Sequence, residues 1–121
     1  MEPDNRPLAF VVDDGEPVRS LIVEMLADEG FRVLDFESGE SALGALDEVQ
    51  PSLVLSDLRL GRGMSGTELL TAVIHKRPET KCVLMSAGFK AGVSHNSQLH
   101  VLAKPFSRKE LLELLGVLRL I

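Results

Sequence analysis

At 121 residues, with 45% apolar side chains and 13 basic against 18 acidic residues (net charge −5), the chain has material for one core and no basic surplus that would favour a nucleic-acid backbone as partner. Its one cysteine, Cys82, lies inside an apolar run, which excludes a disulfide framework and points to a reducing compartment. No stretch approaches membrane-span length, and residues 1–7 lack the apolar segment of a signal peptide, so the expectation is a cytoplasmic protein without membrane contact.

Residues 1–6 read as a flexible polar tail and residues 7–121 as a single domain. The first apolar run, Leu8-Ala9-Phe10-Val11-Val12, has the near-continuous hydrophobicity of a strand buried on both faces. Pro17 suits the first turn of a helix whose buried face is expected to carry Val18, Leu21, Ile22, Met25 and Leu26, and Gly30 stops it. The segment from Phe31 to Phe36 is a second strand. Ser38 caps a second helix bearing Ala42, Ala45, Leu46 and Val49, which Pro51 closes. The third strand, Leu53-Val54-Leu55-Ser56, ends at Asp57, and a loop containing Gly61 and Gly63 follows. Ser65 and Glu68 have capping-box spacing at the head of a third helix that buries Leu69, Leu70, Val73 and Ile74.

Cys82-Val83-Leu84-Met85 and His100-Val101-Leu102-Ala103 are the remaining strands, both also expected to be buried on two faces. Between them, residues 88–98 hold two glycines, Ser94, Asn96 and Ser97, a poor helical composition that predicts a short, irregular fourth crossover. Ser107 and Glu110 repeat the capping-box spacing before a last helix with the stripe Leu111, Leu114, Leu115 and Leu118. Strands alternating with helices imply right-handed crossovers and a parallel sheet covered on both faces.

Asp13-Asp14, Asp57, Ser86 and Lys104 each stand where one of these apolar runs stops. In a parallel sheet the carboxyl ends of the strands share one edge, where such folds place ligands, so three carboxylates, a hydroxyl and an ammonium converge on one cleft. Two carboxylates about 4 Å apart repel by roughly 4 kcal/mol at an effective dielectric of about 20, so the group needs a cation, a proton or a salt-bridge partner. Carboxylates and a backbone carbonyl with open water positions suit Mg²⁺, which also brings in phosphoryl oxygens. One of the aspartates can then serve as nucleophile, because carboxylates form acyl phosphates.

Each residue also has a bland reading. The aspartate pair can simply turn the chain into a helix, Asp57 can be an ordinary loop carboxylate, Ser86 can satisfy local backbone, and Lys104 can be a solvated side chain before Pro105. Their shared position at one sheet edge favours the joint, chemical reading. His75, His95 and His100 lack metal-ligand spacing, Cys82 reads as a packing residue, and neither G-x-x-x-x-G-K-[ST] nor G-x-G-x-x-G occurs.

Val11-Val12-Asp13-Asp14, Leu55-Ser56-Asp57, Met64-Ser65-Gly66, Met85-Ser86-Ala87 and Ala103-Lys104-Pro105-Phe106, in this order and at these intervals, resemble the receiver domain of two-component response regulators. The likeness runs over roughly residues 7–119. It implies the CheY-like, flavodoxin-like doubly wound fold with five parallel strands in the order 2-1-3-4-5, an order already associated with CheY among doubly wound folds. By the same resemblance Asp57 is the phospho-acceptor, Ser86 and Lys104 bond the phosphoryl oxygens, and Mg²⁺ is held by Asp14, by Asp13 mainly through water, by Asp57 and by the backbone carbonyl of Arg59. The implied donor is a sensor histidine kinase or a histidine phosphotransfer protein. The domain would not be a conventional enzyme but would catalyse its own aspartyl phosphorylation and dephosphorylation.

Two features depart from the family pattern. Receivers often carry an aromatic residue three positions before the lysine, at a switch position held here by Val101, which has no ring to rotate. The fourth crossover is also about a helical turn short, as in receivers attached to hybrid sensor kinases, so output through a parent hybrid kinase or a separate protein is expected. The rival readings are a phosphorylation-independent interaction scaffold, motivated by Val101, and a small Mg²⁺-dependent phosphohydrolase. The second lacks a nucleophile near the first strand and an obvious cap.

Overall fold

The computed structural model describes residues 5–87 and 99–121. Five parallel strands, β1 (Leu8–Val12), β2 (Arg32–Phe36), β3 (Leu53–Asp57), β4 (Lys81–Ser86) and β5 (Leu99–Ala103), form one sheet in the order β2-β1-β3-β4-β5. The helices among the described residues are α1 (Glu16–Asp28), α2 (Gly39–Ala45), α3 (Gly66–Lys76) and α4 (Arg108–Val117). This is the expected flavodoxin-like topology. The anticipated irregular crossover at residues 88–98, with His95, and residues 1–4 of the anticipated tail lie outside the described residues.

Side chains alternate across the sheet and divide the core in two. Ala9 and Val11 of β1, Leu53 and Leu55 of β3, and Val83 and Met85 of β4 pack with Ile22 and Leu26 of α1 and Leu111 and Leu115 of α4. On the other face Phe10, Val54 and Cys82 pack with Ala42 of α2 and Leu69, Leu70 and Val73 of α3. The central strands β1, β3 and β4 are therefore buried along nearly their whole length, with polar residues only at the ends of β3 and β4, whereas β5, at the sheet edge, buries only Leu102 and leaves His100 and Val101 half-buried. The expectation of two-sided burial thus fails for the last strand, because an edge strand has a neighbour on one side only.

Both capping boxes form: Ser65 accepts from the Glu68 N–H and Ser107 from the Glu110 N–H, with each glutamate returning to the cap backbone. Ser38 caps α2, which ends at Ala45, earlier than Pro51. The phase of α1 differs from expectation. Its sheet-facing residues are Arg19, Ile22 and Leu26, while Val18 and Leu21 are 42% and 52% exposed. The i, i+3, i+7 series starting at Val18 and the one starting at Arg19 are adjacent stripes, about 100° apart on a helix of 3.6 residues per turn.

Burial pushes the Cys82 thiol up to about 12, so the thiolate that reacts with alkylating reagents is scarce in the folded chain. At pH 8, Cys82 is expected to resist iodoacetamide until denaturant unfolds the domain. Rapid labelling of folded protein, followed by mass, would contradict this burial.

Candidate functional site

The chain steps from β1 to β2 on one side and then crosses back to β3, so the carboxyl ends of β1 and β3 flank the point where the strand order reverses. Val12 pairs with Ser56, and the next residues, Asp13 and Asp57, therefore emerge side by side. Asp13 is only 2% exposed. One of its oxygens accepts the Gly15 N–H at 2.8 Å and turns the chain into α1; the other accepts Lys104 Nζ at 2.9 Å. Asp13 thus turns the chain with one oxygen and meets the Lys104 ammonium with the other.

Lys104 is delivered from the far side, where its N–H donates to the Ser86 carbonyl at 3.0 Å. Its ammonium lies 3.4 Å from Asp57 Oδ1 as well, so one cation bridges two carboxylates. Ser86 pairs with Ala103 at the end of β4 and is buried. Carboxylate oxygens of Asp13, Asp14 and Asp57 lie within 4.8 Å of one another, with Asp14 facing solvent. Burial raises Asp57 above the usual carboxylate range; Lys104 opposes this rise and the charge of Asp13 adds to it. Burial alone would lower Lys104, but its hydrogen bond to Asp13 and the charges of Asp13 and Asp57 outweigh that and hold it above its ordinary value.

The loop after β3 is fastened around this pocket. Leu58 N–H donates to Asp57 Oδ1 at 3.1 Å, and Arg59 is exposed two residues beyond Asp57. Gly61 has φ +72° and a Cβ there would stand 3.3 Å from Asp14 Oδ2. Glu40 at the start of α2 accepts the Met64 N–H at 2.9 Å. A Cβ at Gly66 would meet the Asp57 carbonyl oxygen at 2.0 Å, so only glycine lets α3 begin this close to β3.

The structure thus brings together Asp13, Asp14, Asp57 and Lys104, sets Ser86 on the adjacent strand end and Arg59 in the flanking loop, and leaves Val101 half-buried opposite Leu84 of β4. His75 is exposed on α3 and His100 lies at the start of β5. Two residues escaped the sequence reading. Glu40 touches the loop across 24 positions, with no local signal. Arg19 donates to the Asp13 carbonyl at 2.8 Å from a helix position that looks solvent-facing in sequence.

Fold and pocket together define a doubly wound α/β protein with an acidic, lysine-bridged site at its topological switch point. The family model of the response regulator receiver domain matches residues 9–116, and the chain belongs to that family. It is 34% identical over 109 residues to the DNA-binding transcriptional regulator NtrC of Klebsiella pneumoniae, covering 87% of this chain and 23% of that protein. It is 36% identical over 79 residues to the response regulator GacA of Pseudomonas aeruginosa, covering 64% of this chain and 36% of that one. The chain therefore spans about a quarter to a third of these relatives. Among solved structures, the receiver domain of NtrX from Brucella abortus superposes with TM-score 0.78 at 27% identity, over 91% of this chain and 96% of that one. The chemotaxis protein CheY4 of Vibrio cholerae superposes with TM-score 0.80 at 22% identity, over 93% and 98%, a likeness of fold.

Gly66→Ala is expected to push the Asp57 backbone aside and to cost about 1–3 kcal/mol, read from chemical denaturation. A parent-like midpoint would show the approach to be looser than described. The raised Asp57 also sets a pH dependence. A carboxylate whose native value lies above its unfolded one weakens the fold once ionised; that cost is absent below the unfolded value and complete above the native one. Asp57→Asn should accordingly raise the metal-free thermal midpoint at pH 7, the gain shrinking as pH falls into the ordinary carboxylate range. An undiminished gain at pH 3.5 would contradict this.

Proposed function

We propose that this receiver domain accepts a phosphoryl group from a phosphohistidine onto Asp57, with Mg²⁺, and thereby switches its contacts with partner proteins. The observation that carries the reading is the partly buried Asp57 carboxylate, held 3.4 Å from Lys104 and within reach of two further carboxylates. Three carboxylates against one ammonium leave the pocket at a formal charge of −2, which suits a divalent cation. Both oxygens of Asp13 are already engaged, while Asp14 faces solvent, so the donor set fits an oxygen-seeking ion bound directly by Asp14 and Asp57, by the Arg59 carbonyl, and by Asp13 through water. When bound, Mg²⁺ would supply charge neutralisation for the transferred phosphoryl oxygens.

The residues of the chain do the rest. An Asp57 oxygen forms the new P–O bond as the donor's P–N bond breaks, and the electron pair stays on the imidazole nitrogen. The ammonium of Lys104 already lies beside Asp57, where it balances the charge that arrives on the phosphoryl oxygens. Ser86, on the neighbouring strand end, donates its hydroxyl to one of those oxygens. Positioning and charge compensation are most of what phosphoryl transfer asks of a protein.

The donor would be a sensor histidine kinase or a histidine phosphotransfer protein, in the cytoplasm. Val18, Leu21 and Met25 of α1 line a groove of about 320 Å³ with Lys104, Pro105 and Phe106. This exposed apolar surface beside the pocket suits the flank of an apolar helix on the donor. The output would go to a separate protein or to a parent hybrid kinase; a neighbour at 25% identity and TM-score 0.77 is the receiver domain of the hybrid histidine kinase CckA. The receiver unit would span residues 7–121.

Incubation with Mg²⁺ and a small acyl-phosphate donor should give one phosphoryl adduct by mass, absent from Asp57→Asn and from metal-free samples. Folded parent protein that stays unlabelled overturns the reading. Lys104→Ala should lose most phosphorylation-dependent amide shifts while keeping Mg²⁺ affinity within about threefold, since its charge meets the phosphoryl group rather than the metal. Parent-like shifts in that variant would remove Lys104 from the switch.

A further inference from the structure

We infer that Arg19 is a positioning residue that fixes the Asp13–Asp14 peptide and so aims the acidic pair. Arg19 occupies the first sheet-facing position of α1, in line with Ile22 and Leu26, and its side chain is only 9% exposed. Its side chain makes two hydrogen bonds and one longer ion pair. Nη1 donates to the Asp13 carbonyl at 2.8 Å, Nε donates to Asp35 Oδ2 at 2.8 Å, and Nη2 lies 3.8 Å from Glu37 Oε1. Asp35 lies in β2 and Glu37 just beyond its end, and Asp13 N–H donates to the Phe36 carbonyl of the same strand at 3.1 Å. Both polar backbone groups of Asp13 are therefore tied to β2, one directly and one through the guanidinium.

Packing alone does not explain an arginine here. Burying a guanidinium is costly even when paired, and an apolar side chain of similar volume on this stripe would avoid that cost while leaving the Asp13 carbonyl without the guanidinium donor. An apolar side chain cannot hold the Asp13 carbonyl. That carbonyl belongs to the peptide unit it shares with Asp14, so fixing it fixes where the Asp14 backbone departs and where the Gly15 N–H meets Asp13 Oδ1. The planar, forked guanidinium reaches an acceptor on each side at once, which a lysine ammonium on a flexible stem does not reproduce. The outer end of the clamp is reachable from solvent, since the Asp35 side chain is 47% exposed. The pocket is thereby coupled to the β2 corner.

The metal part of this inference rests on the proposed Mg²⁺ reading of the pocket; the backbone part does not. The test compares the parent chain, Arg19→Met, Asp35→Asn and their double variant by three readouts: Mg²⁺ titration followed by ¹H–¹⁵N NMR, hydrogen exchange of the Gly15 amide, and thermal midpoint. Arg19→Met should weaken Mg²⁺ binding by about tenfold or more and speed Gly15 exchange by a similar factor, with at most a small drop in midpoint and with core-amide exchange unchanged. Asp35→Asn should shift both in the same direction by less, and the double variant should be no worse than Arg19→Met alone. Parent-like Mg²⁺ affinity and Gly15 exchange in Arg19→Met overturn the inference, and so does a loss accompanied by a large drop in midpoint and faster exchange of core amides, which would mark a general structural role. If Arg19→Met does not fold, Asp35→Asn decides by the same readouts. A parent chain that binds no Mg²⁺ sinks the metal reading alone, and the Gly15 amide then still decides for or against Arg19.

Discussion

One ammonium between two carboxylates organises this molecule. Lys104 lies 2.9 Å from Asp13 and 3.4 Å from Asp57, at the one place where the strand order reverses. Without it, two partly or wholly buried carboxylates would face each other in a setting where their repulsion amounts to roughly 4 kcal/mol at about 4 Å. With it, two of three negative charges are partly answered and Asp14, on the solvent side, keeps the pocket acidic. The arrangement leaves a formal charge of −2 in the pocket, which the proposed Mg²⁺ would offset.

The scaffold makes that balance reproducible. Registered pairing of Val12 with Ser56 and of Asp57 with Met85 sets the order in which side chains leave the sheet, so Asp13, Asp57 and Ser86 arrive at one rim. Two apolar layers, one under α1 and α4 and one under α2 and α3, hold the strands in that register, because a slip of one residue would turn every buried side chain to the opposite face. Small contacts then finish the site: Gly66 admits α3 against the Asp57 carbonyl, and Glu40 pins the loop that passes over Asp14.

Much of this was legible in the chain itself. Continuous apolar runs marked the three central strands, since burial on both faces leaves no alternation to confuse them. Ser65 with Glu68 and Ser107 with Glu110 marked two helix starts, because a capping box is a local device with fixed spacing. The pocket followed from strand ends alone. Harder to see was the phase of α1, where Val18, Leu21, Ile22, Met25 and Leu26 span two adjacent stripes and periodicity does not say which of them meets the sheet. Arg19 was passed over for the same reason: a buried guanidinium is recognised by its partners, and Asp35, 16 residues away, adjoins it only once the sheet forms. The half-exposed β5 reflects strand order, which no single strand encodes.

Val101 lies half-buried opposite Leu84, at the edge of the sheet. A β-branched side chain has no ring to rotate, so the response proposed for phosphorylation would run through backbone and loop positions near the pocket. That places the weight of the account on the pocket itself. The most direct check is a Mg²⁺ titration of the uniformly ¹⁵N-labelled parent chain, with a monovalent salt as control. Saturable one-to-one shifts confined to the amides around Asp13 to Gly15, Asp57 to Gly61 and Lys104 are the predicted result. No saturable shift there, or shifts centred on the exposed acids of α4, would contradict it.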